Sequence, residues 1–293
     1  MRYAAIDIGS NAVRLLIADI IENTGSVSFK KNTLIRVPLR LGDDAFIQHY
    51  ISEKKSADLV KSMHAFRNLM DVYKVTDYLA YATSAMREAT NGEEVVKLIK
   101  EVANIDLEII HGSKEAKVIY ASHADQSIDK SKSYLYIDVG GGSTELSLFS
   151  AGELMASKSF NIGTIRILDN QDTEETWNEM KDFIREHTRG FKQLLGIGTG
   201  GNINKLYRLS EEENDAPMPY NKLRSLYTYL NSFSMKDRIN VLGLNHDRAD
   251  VIIPACEIYL TVMKNAGIKQ IYVPRVGMVD GIIQTLIDKN LNS

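Results

Sequence analysis

Cysteine is nearly absent from this chain, which has one among 293 residues, Cys256. A single thiol can form neither a disulfide framework nor a multi-cysteine zinc site, and it indicates a reducing compartment. The six histidines are scattered and HExxH does not occur, so a zinc-protease motif is excluded. No apolar run approaches the roughly 18 residues of a membrane span. The chain begins in a strand-like segment rather than a signal peptide, and we expect a cytoplasmic protein without membrane partners.

Excess positive charge and the common nucleotide-binding loops are lacking as well. The formal net charge is −3, which argues against a general nucleic-acid binder. The P-loop sequence GxxxxGK[ST] does not occur. GxGxxG does occur, at Gly196, Gly198 and Gly201, but a loop at 210–219 stands where a dinucleotide fold requires a strand ending in an acid. We therefore interpret this segment as a glycine turn that suits a phosphate or a nucleoside.

What the chain does contain is a strand that ends in an acid and runs into three glycines. Residues 134–149 read YLYIDVGGGSTELSLF, with Asp138 before the glycines and Glu145 after them. Glycine allows positive φ and leaves backbone N–H groups uncovered, which suits a phosphate oxygen. The two carboxylates are hard oxygen ligands of the kind that Mg²⁺ takes together with water and phosphate. The simpler interpretation is a hairpin turn with a solvated acid at each end.

The N-terminus repeats this pattern. Residues 3–20 read YAAIDIGSNAVRLLIADI, in which Asp7 ends an apolar strand and a turn of small residues follows. Asp7 and Asp138 are 131 residues apart, so the repeat has the size of a domain rather than of a solenoid unit. The sequence predicts two similar domains that face each other across a cleft and hold phosphate and metal between them.

Two stretches between these segments carry further candidate groups. Residues 82–92, ATSAMREATNG, run from a strand through small hydroxylated residues into a helix start, where free N–H groups favour an anion. Arg87 has a planar set of donors that fits phosphate, although a surface arginine on a first helical turn would look the same. Residues 111–125 predict a helix with Ser113 as N-cap and Glu115 in its first turn. A glutamate there is also favoured by the helix dipole alone.

Hydrophobic periodicity predicts an α/β protein with mixed sheets. Apolar residues three or four apart predict a helix over 52–75, and a long helix over 248–266 that Pro254 would kink. A buried strand is predicted over 105–110 and a last helix over 278–289. We place the domains at 1–125 and 126–293, with the polar segment 126–133 as the crossing and the last helix able to pack back on the first domain.

Five motifs occur in the order and spacing of one protein family. They are DIGSN at 7–11, ATSAMREATNG at 82–92, Glu115 before Ala116, DVGGGSTEL at 138–146 and GTGGN at 198–202. Over essentially its whole length the chain resembles the exopolyphosphatase/guanosine pentaphosphate phosphohydrolase (Ppx/GppA) family, in its short, two-domain form. The resemblance implies two duplicated ribonuclease H-like domains of the actin, sugar kinase and heat-shock ATPase superfamily, with an interdomain cleft.

The resemblance also implies an activity and its residues. The family releases the terminal phosphate of inorganic polyphosphate, or the 5′ γ-phosphate of guanosine pentaphosphate (pppGpp), by attack of water assisted by Mg²⁺ or Mn²⁺. Glu115 matches the general base, and Asp138 and Glu145 match acids that hold the metal and help to position the water, with Asp7 facing them. The matches to the family's phosphate cradle are Ser10, Asn11, Arg87, Gly141, Gly142, Ser143 and Thr144. These groups supply the positioning and charge neutralisation that phosphoryl transfer needs.

The chain departs from the family pattern at several positions. Lys114 stands where a second glutamate is common, and Lys117 stands where arginine is. Ser122 and Ala255 replace glycines, and residues 278–281 read MVDG where the family often has Leu-Arg-Glu-Gly. None of these changes removes a candidate site residue. The late ones, Val279 and Asp280 in particular, leave open whether polyphosphate or pppGpp is preferred.

Two other functions compete with hydrolysis. A non-catalytic sensor would bind guanosine penta- or tetraphosphate, or polyphosphate. The presence of Glu115, Asp138 and Glu145 together argues against it, since a pure binder has no need of a general base. A kinase or ATPase of the same superfamily is disfavoured because a glutamate, rather than a kinase-type aspartate, lies in the first domain. The apolar positions of the late helices fit either a core or a homodimer interface.

Overall fold

The structure is a computed structural model that describes residues 1–23, 26–122, 129, 131–212, 216–274 and 276–291. Its strands are β1 (Arg2–Ile8), β2 (Val13–Asn23), β3 (Ser26–Val37), β4 (Asp77–Ala82), β5 (Glu108–Ile109), β6 (Ser133–Val139), β7 (Thr144–Ser150), β8 (Glu153–Phe160), β9 (Leu194–Thr199), β10 (Met218–Pro219) and β11 (Gln270–Tyr272). Its helices are α1 (Gly42–Gln48), α2 (Glu53–Val72), α3 (Ser84–Glu88), α4 (Gly92–Ala103), α5 (Gly112–Ala121), α6 (Thr164–Leu168), α7 (Glu174–Thr188), α8 (Gly201–Ser210), α9 (Tyr220–Asn231), α10 (Met235–Asn240), α11 (His246–Ala249), α12 (Ile252–Asn265) and α13 (Met278–Leu291).

The chain divides into two compact units, residues 1–127 with 277–293, and residues 128–276. The last helix, α13, therefore belongs to the first unit, where it packs on β1, β4 and α5. The crossing predicted at 126–133 lies largely outside the described residues, and so does the predicted boundary at 125 and 126. Each unit has its own apolar core, because the faces of its sheet are covered by its own helices.

Within the described residues, the sheet of the first unit has five strands in the order β3-β2-β1-β4-β5. β1 is antiparallel to β2 and parallel to β4, so a hairpin opens the unit and a crossover continues it. β2 and β3 are antiparallel, and β4 and β5 are parallel. The end of β1, which carries Asp7, thus lies beside the end of β4 that leads into α3.

The sheet of the second unit repeats this plan. Where the structure describes it, the order is β10-β11-β9-β6-β7-β8. The strands β8-β7-β6-β9-β11 correspond to β3-β2-β1-β4-β5, with the same sequence of antiparallel and parallel neighbours. Only β10 is additional. The predicted duplication is therefore visible in the strand order and directions of the two sheets.

Several local predictions need correction. The helix expected over 248–266 consists of two helices, α11 and α12, and α12 begins at Ile252. Pro254 thus lies in a first helical turn, where its missing N–H interrupts no bond ladder and causes no kink. The strand expected over 105–110 is only Glu108–Ile109, paired with β4. None of the helices in the described ranges is both long and apolar enough to serve as a membrane span.

Candidate active site

In the second unit, residues 140–143 form a turn between β6 and β7. The N–H of Gly140 donates to the carbonyl oxygen of Ser143 at 2.9 Å, and the carbonyls of residues 140–142 accept hydrogen bonds of 2.6 to 3.4 Å from the start of α6. A carbonyl and the N–H that follows it point to opposite sides of a planar trans peptide. The N–H groups of Gly141, Gly142 and Ser143 therefore face away from α6, and they bond to no other described residue.

Glycine serves this turn through its missing side chain. The described glycines with positive φ are Gly152, Gly200, Gly243 and Gly267, so the glycines of turn 140–143 do not use the left-handed region that the sequence analysis considered. Their benefit is instead that Gly141 and Gly142 carry no Cβ beside their free N–H groups, so an anion can approach these groups closely.

Asp138 and Glu145 are directly opposite each other on β6 and β7. Opposite residues of an antiparallel pair share one face of the sheet, with Cβ atoms about 5 Å apart. Oδ1 of Asp138 accepts a hydrogen bond from Oγ1 of Thr199, and Oε1 of Glu145 accepts one from Oγ of Ser159, both at 2.8 Å. Glu145 is buried, with 4% of its surface exposed. Two carboxylates, each fixed by a hydrogen bond, thus lie beside turn 140–143.

This donor set fits a magnesium ion that keeps some of its waters. Mg²⁺ is usually bound by one or two carboxylates together with substrate phosphates, rather than by a closed protein cage. Asp138 and Glu145 could supply the two carboxylates, and the free N–H groups of turn 140–143 could supply a place for a phosphate. Clusters of three or more His, Cys, Asp or Glu side chains do not occur in the part of the chain that the structure describes.

The GTGGN motif packs against the same aspartate. Thr199 ends β9 next to β6, and Gly200 has a φ of +93° between β9 and α8. A Cβ at position 200 would lie 2.8 Å from Oδ1 of Asp138, so only glycine fits there without moving the carboxylate. Next in the chain, Asn202 accepts a hydrogen bond at Oδ1 from Nη1 of Arg248 at 2.8 Å. The motif is thus part of the surroundings of Asp138.

The hydroxyl of Thr144, one of the predicted phosphate-binding residues, forms a hydrogen bond within the second unit. Its side chain is fully buried, and Oγ1 donates to the carbonyl oxygen of Ile162 at 2.6 Å. The hydroxyl therefore ties β7 to the segment that leads into α6. Thr144 supports turn 140–143 from behind, and a contact between its hydroxyl and a phosphate would require this bond to break.

In the first unit, the corresponding hairpin pairs an acid with a base. Asp7 is opposite Arg14, and Oδ2 of Asp7 accepts a hydrogen bond from Nη1 of Arg14 at 2.5 Å. Asp7 is 3% exposed. Burial raises the pKa of Asp7 above its ordinary value, while the charge and hydrogen bond of Arg14 act against that rise. Position 14 corresponds to Glu145 in the second hairpin, so only the second hairpin brings two acids together.

The turn at residues 9–12 is built like turn 140–143. The N–H of Gly9 donates to the carbonyl of Ala12 at 3.2 Å, and the carbonyls of Ser10 and Asn11 accept backbone N–H groups of the 40–42 segment at 2.9 and 3.0 Å. Oγ of Ser10 lies 2.9 Å from Oγ of Ser84, a buried contact between the DIGSN and ATSAMREATNG motifs. The structure thus brings two of the predicted phosphate-binding segments together.

Glu115 lies in the first turn of α5, with 8% of its surface exposed. Nη1 of Arg87 is 3.7 Å from Oε2 of Glu115 and donates to the carbonyl oxygen of Ile110 at 2.6 Å. The sequence analysis assigned Arg87 to phosphate. In the structure its guanidinium also stands next to the candidate base and bonds to the segment that leads into α5, so it is suited to hold Glu115 in place.

Several residues around the site were not recognised in the sequence. Arg14 could have been found, because it lies 131 residues before Glu145 within the repeat. Thr199 lies inside the GTGGN motif and could have been paired with Asp138 through the parallel neighbours β6 and β9. Arg166 and Arg248 belong to no quoted motif, and the partners that give them a role are 24 and 46 residues away in the chain.

Comparison with known proteins gives one consistent family. The sequence model of the Ppx/GppA phosphatase family matches residues 20–290. The bifunctional 3-dehydroquinate synthase/phosphatase of Fusobacterium nucleatum is 28% identical over 292 residues, which cover 90% of this chain and 43% of that protein. A putative exopolyphosphatase of Haemophilus influenzae is 24% identical, with 98% of this chain and 91% of that protein covered. The chain therefore spans less than half of the first relative and most of the second.

Solved structures agree in fold. An exopolyphosphatase from Cytophaga hutchinsonii has a TM-score of 0.84 at 23% identity, covering 99% of this chain and 98% of that one. A Ppx/GppA family member from Aquifex aeolicus has a TM-score of 0.77 at 23% identity, covering 100% and 99%. Together with the matching strand orders of the two sheets, these likenesses confirm the predicted α/β class with two duplicated domains.

Proposed function

Because the chain belongs to the Ppx/GppA phosphatase family, we propose that it is a phosphohydrolase that releases the terminal phosphate of inorganic polyphosphate or the 5′ γ-phosphate of pppGpp. The observation that carries the proposal is turn 140–143, whose three free N–H groups lie beside the carboxylates of Asp138 and Glu145. Such donors next to hard oxygen ligands suit a phosphate that binds together with a divalent cation. The relatives named as exopolyphosphatases support polyphosphate as the substrate class.

We assign the divalent cation, Mg²⁺ or Mn²⁺, to Asp138 and Glu145. When bound, it would neutralise charge on the transferred phosphoryl group. Thr199 and Ser159 orient the two carboxylates through hydrogen bonds, so the ligand oxygens are held in place beforehand. Asp7 is less suited as a metal ligand, since its Oδ2 already accepts a hydrogen bond from Arg14.

Glu115 is the proposed general base for the attacking water. It is nearly buried, and a positioned carboxylate can accept a proton from water near neutral pH. Arg87 restricts where the carboxylate can move, through the 3.7 Å contact with Oε2 and the 2.6 Å bond to the carbonyl of Ile110. As the water oxygen bonds to phosphorus, its proton passes to Glu115 and the bond to the bridging oxygen breaks.

Both duplicated turns carry proposed phosphate contacts. In the second unit, Gly141, Gly142 and Ser143 are assigned through their backbone N–H groups, and in the first unit Ser10 and Asn11 are the candidates. These groups recognise small anions, and we assign no nucleic-acid or membrane partner. We place the reaction in the cytoplasm, where Cys256 stays reduced. The buried apolar residues of α12 and α13 lie in the cores of their own units, and sedimentation velocity will decide whether the chain forms a homodimer.

The test is a comparison of phosphate release from tripolyphosphate, long polyphosphate and pppGpp in the presence of Mg²⁺. Glu115→Gln keeps the size of the side chain and removes the base, and we expect kcat to fall by about 100-fold or more. Binding of tripolyphosphate should remain within a few-fold of the wild-type value. The matched control is Glu101→Gln, an exposed glutamate on α4, which should leave both quantities unchanged. The ranking of the three substrates identifies the preferred one.

Two results would contradict the hydrolase proposal. One is the absence of phosphate release from all three substrates by the wild-type chain, combined with tight binding of guanosine tetraphosphate, which would favour a sensor. The other is full activity of Glu115→Gln, which would remove Glu115 as the base. Chelation of the divalent cation should abolish release, and added Mg²⁺ should restore it.

A further inference from the structure

The start of α6 lies in direct contact with turn 140–143. A Cβ at position 163 would overlap the carbonyl groups of Gly141 and Gly142, so the backbone before α6 touches the backbone of the turn. The N–H of Thr164 donates to the carbonyl of Gly140 at 3.0 Å, and the N–H of Ile165 donates to that of Gly141 at 2.8 Å. The first N–H groups of a helix have no partner within the helix, and here they bind the turn.

The third carbonyl of the turn is held by a side chain. Nε of Arg166 donates to the carbonyl oxygen of Gly142 at 2.6 Å. Arg166 is a core arginine, with 6% of its surface exposed. A hydrogen bond from a charged donor is roughly twice as strong as a neutral one, and the planar guanidinium holds its acceptor in a defined direction.

The direction of this bond decides where the next N–H points. The carbonyl of Gly142 and the N–H of Ser143 belong to the same planar peptide and point to opposite sides. As long as Arg166 binds the carbonyl, the N–H of Ser143 faces away from α6, on the side of the other two free N–H groups. If the bond from Arg166 is lost, this peptide can rotate. The N–H of Ser143 then no longer points to the same side as the N–H groups of Gly141 and Gly142.

In the first unit, backbone groups bond to the corresponding carbonyls of turn 9–12. There the carbonyls of Ser10 and Asn11 accept backbone N–H groups of Gly42 and Arg40. The turn of the second unit is held by the buried guanidinium of Arg166, which places a positive charge behind the proposed phosphate position. A buried positive charge favours an anion on the opposite side of the turn.

We propose that Arg166 is a positioning residue for the phosphate site, which fixes the peptide between Gly142 and Ser143 so that the N–H of Ser143 binds the substrate phosphate. Arg166 itself makes no contact with the substrate. The inference rests on the proposed function, because it takes turn 140–143 as the phosphate site. It adds a residue from outside the recognised motifs.

The test distinguishes the effect of the positive charge of Arg166 from the effect of its planar hydrogen-bond donor. Arg166→Lys keeps the charge but lacks the planar guanidinium, and Arg166→Gln keeps an N–H donor but lacks the charge. The control is Arg224→Gln, an exposed arginine on α9 of the same unit. The measured quantities are the dissociation constant of tripolyphosphate by calorimetry, kcat and KM with the same compound, and the thermal midpoint.

We expect Arg166→Gln to raise both the dissociation constant and KM by about tenfold, the loss that follows when one charge-assisted hydrogen bond is removed. Arg166→Lys should lie between this variant and the wild type, and kcat should change by less than about threefold. Glu115→Gln should show the opposite pattern, a lower kcat with an unchanged dissociation constant. Arg224→Gln should match the wild type in every quantity.

The inference is overturned if both folded Arg166 variants bind tripolyphosphate within twofold of the wild type. It is also overturned if their weaker binding follows a loss of thermal stability that Arg224→Gln shares. If Arg166→Gln does not fold, the lysine variant alone decides, because it keeps the buried charge. If the wild type binds tripolyphosphate without releasing phosphate, the hydrolase proposal is contradicted. The dissociation constants of the variants still test the positioning role of Arg166 in that case.

Discussion

At the scale of single residues, the two duplicated hairpins differ in the charge opposite their aspartates. Arg14 faces Asp7, and Glu145 faces Asp138. The first hairpin thus neutralises its own acid, whereas the second has two carboxylates side by side. Two like charges at such a distance are unfavourable unless a cation or protons compensate them. This is the physical reason for assigning the cation to the second hairpin.

Replacing Arg14 by Met should destabilise the chain because it leaves the buried carboxylate of Asp7 without its partner. We expect a loss of about 2 kcal/mol in the free energy of unfolding at neutral pH. The double variant Asp7→Asn with Arg14→Met is the control, since it removes both charges and should recover most of the loss. Urea unfolding followed by circular dichroism measures all three chains. An equal loss in the single and the double variant would contradict the assignment.

The pH dependence of that loss has a definite sign. The pKa of Asp7 is raised above its ordinary 3.8, mainly by burial, with Arg14 opposing the rise. An acid with a raised folded-state pKa binds more protons when folded, so the free energy of unfolding falls as pH rises through the interval from 3.8 to that pKa. Without Arg14 the folded-state pKa rises further. The deficit of Arg14→Met should therefore be largest at neutral pH and shrink as the pH is lowered toward 3.8.

A site residue could be predicted from the sequence when the groups that define its role lie within the same motif. Asp7, Asp138 and Glu145 were recognised because each flanks a turn of small residues directly after or before a strand. The role of Arg166 depends on a carbonyl 24 residues earlier, which no local pattern indicates. The bond from Thr144 to Ile162 likewise becomes visible only when the strand and the segment before α6 are placed together.

At the scale of elements, α5 and α13 cross so closely that their backbones touch. A Cβ at position 281 would overlap the carbonyl oxygen of Val118 on α5. Helix α5 carries Glu115 in its first turn. The glycine in the MVDG segment is thus required by packing, while the neighbouring Asp280 is buried and bound to Lys31 at 2.6 Å.

Gly281→Ala should therefore push α5 and α13 apart. We expect about 2 kcal/mol of lost stability from overpacking, together with a lower kcat because Glu115 moves with α5. Gly277→Ala is the matched control just before the same helix, where an added Cβ meets nothing within 4 Å. Thermal unfolding and phosphate release measure the two effects. Wild-type stability and kcat in Gly281→Ala would show that the crossing can adjust without cost.

A second substitution tests the turn between β9 and α8. Gly200→Ala adds a Cβ 2.8 Å from Oδ1 of Asp138 at a φ of +93°, so it should both strain the backbone and displace the carboxylate. Gly243→Ala is the control, because Gly243 has a φ of +62° with open space around it. Gly243→Ala should lose about 1 kcal/mol of stability. Gly200→Ala should lose more, because a φ of 93° with a ψ of 173° is adopted essentially by glycine alone and the added Cβ also meets Asp138. Only Gly200→Ala should need more Mg²⁺ for half-maximal activity, and an equal requirement in both would argue against Asp138 as a ligand.

Long periodic elements were predictable, and short ones were not. α2 at Glu53–Val72 falls inside the helix expected over 52–75, because its apolar spacing extends over five turns. The strand expected over 105–110 shortens to two residues, since apolar side chains there can be buried in an irregular segment as well. Pro254 was interpreted as a kink because the break between α11 and α12 at 250–251 has no glycine or proline to mark it.

At the scale of the whole chain, the sequence repeat predicted the duplication because strand ends and turns recur at a fixed spacing. The sheets confirm it, with the same order and directions over five strands each. The sequence analysis allowed the last helix to pack back on the first domain, and α13 does so. The apolar face of the helix did not identify the surface that it covers. The first unit is consequently made of two separate parts of the chain.

A chain that ends at Val276 should show how much the first unit depends on α13. The deletion removes five buried apolar side chains that pack on β1, β2 and α5: Val279, Ile282, Ile283, Leu286 and Ile287. Their burial contributes on the order of 10 kcal/mol, which is comparable to the entire stability of a typical domain.

We therefore expect the shortened chain to lose the folded first unit and all phosphate release. The second unit should remain, because its core contains no residue of α13. Limited proteolysis should leave a resistant fragment close to residues 128–276, identified by mass spectrometry. The control is Leu291→Ser on the same helix, whose side chain is 63% exposed, and it should resist proteolysis like the wild type. Resistance of both units in the shortened chain would mean that the first unit folds without its C-terminal helix.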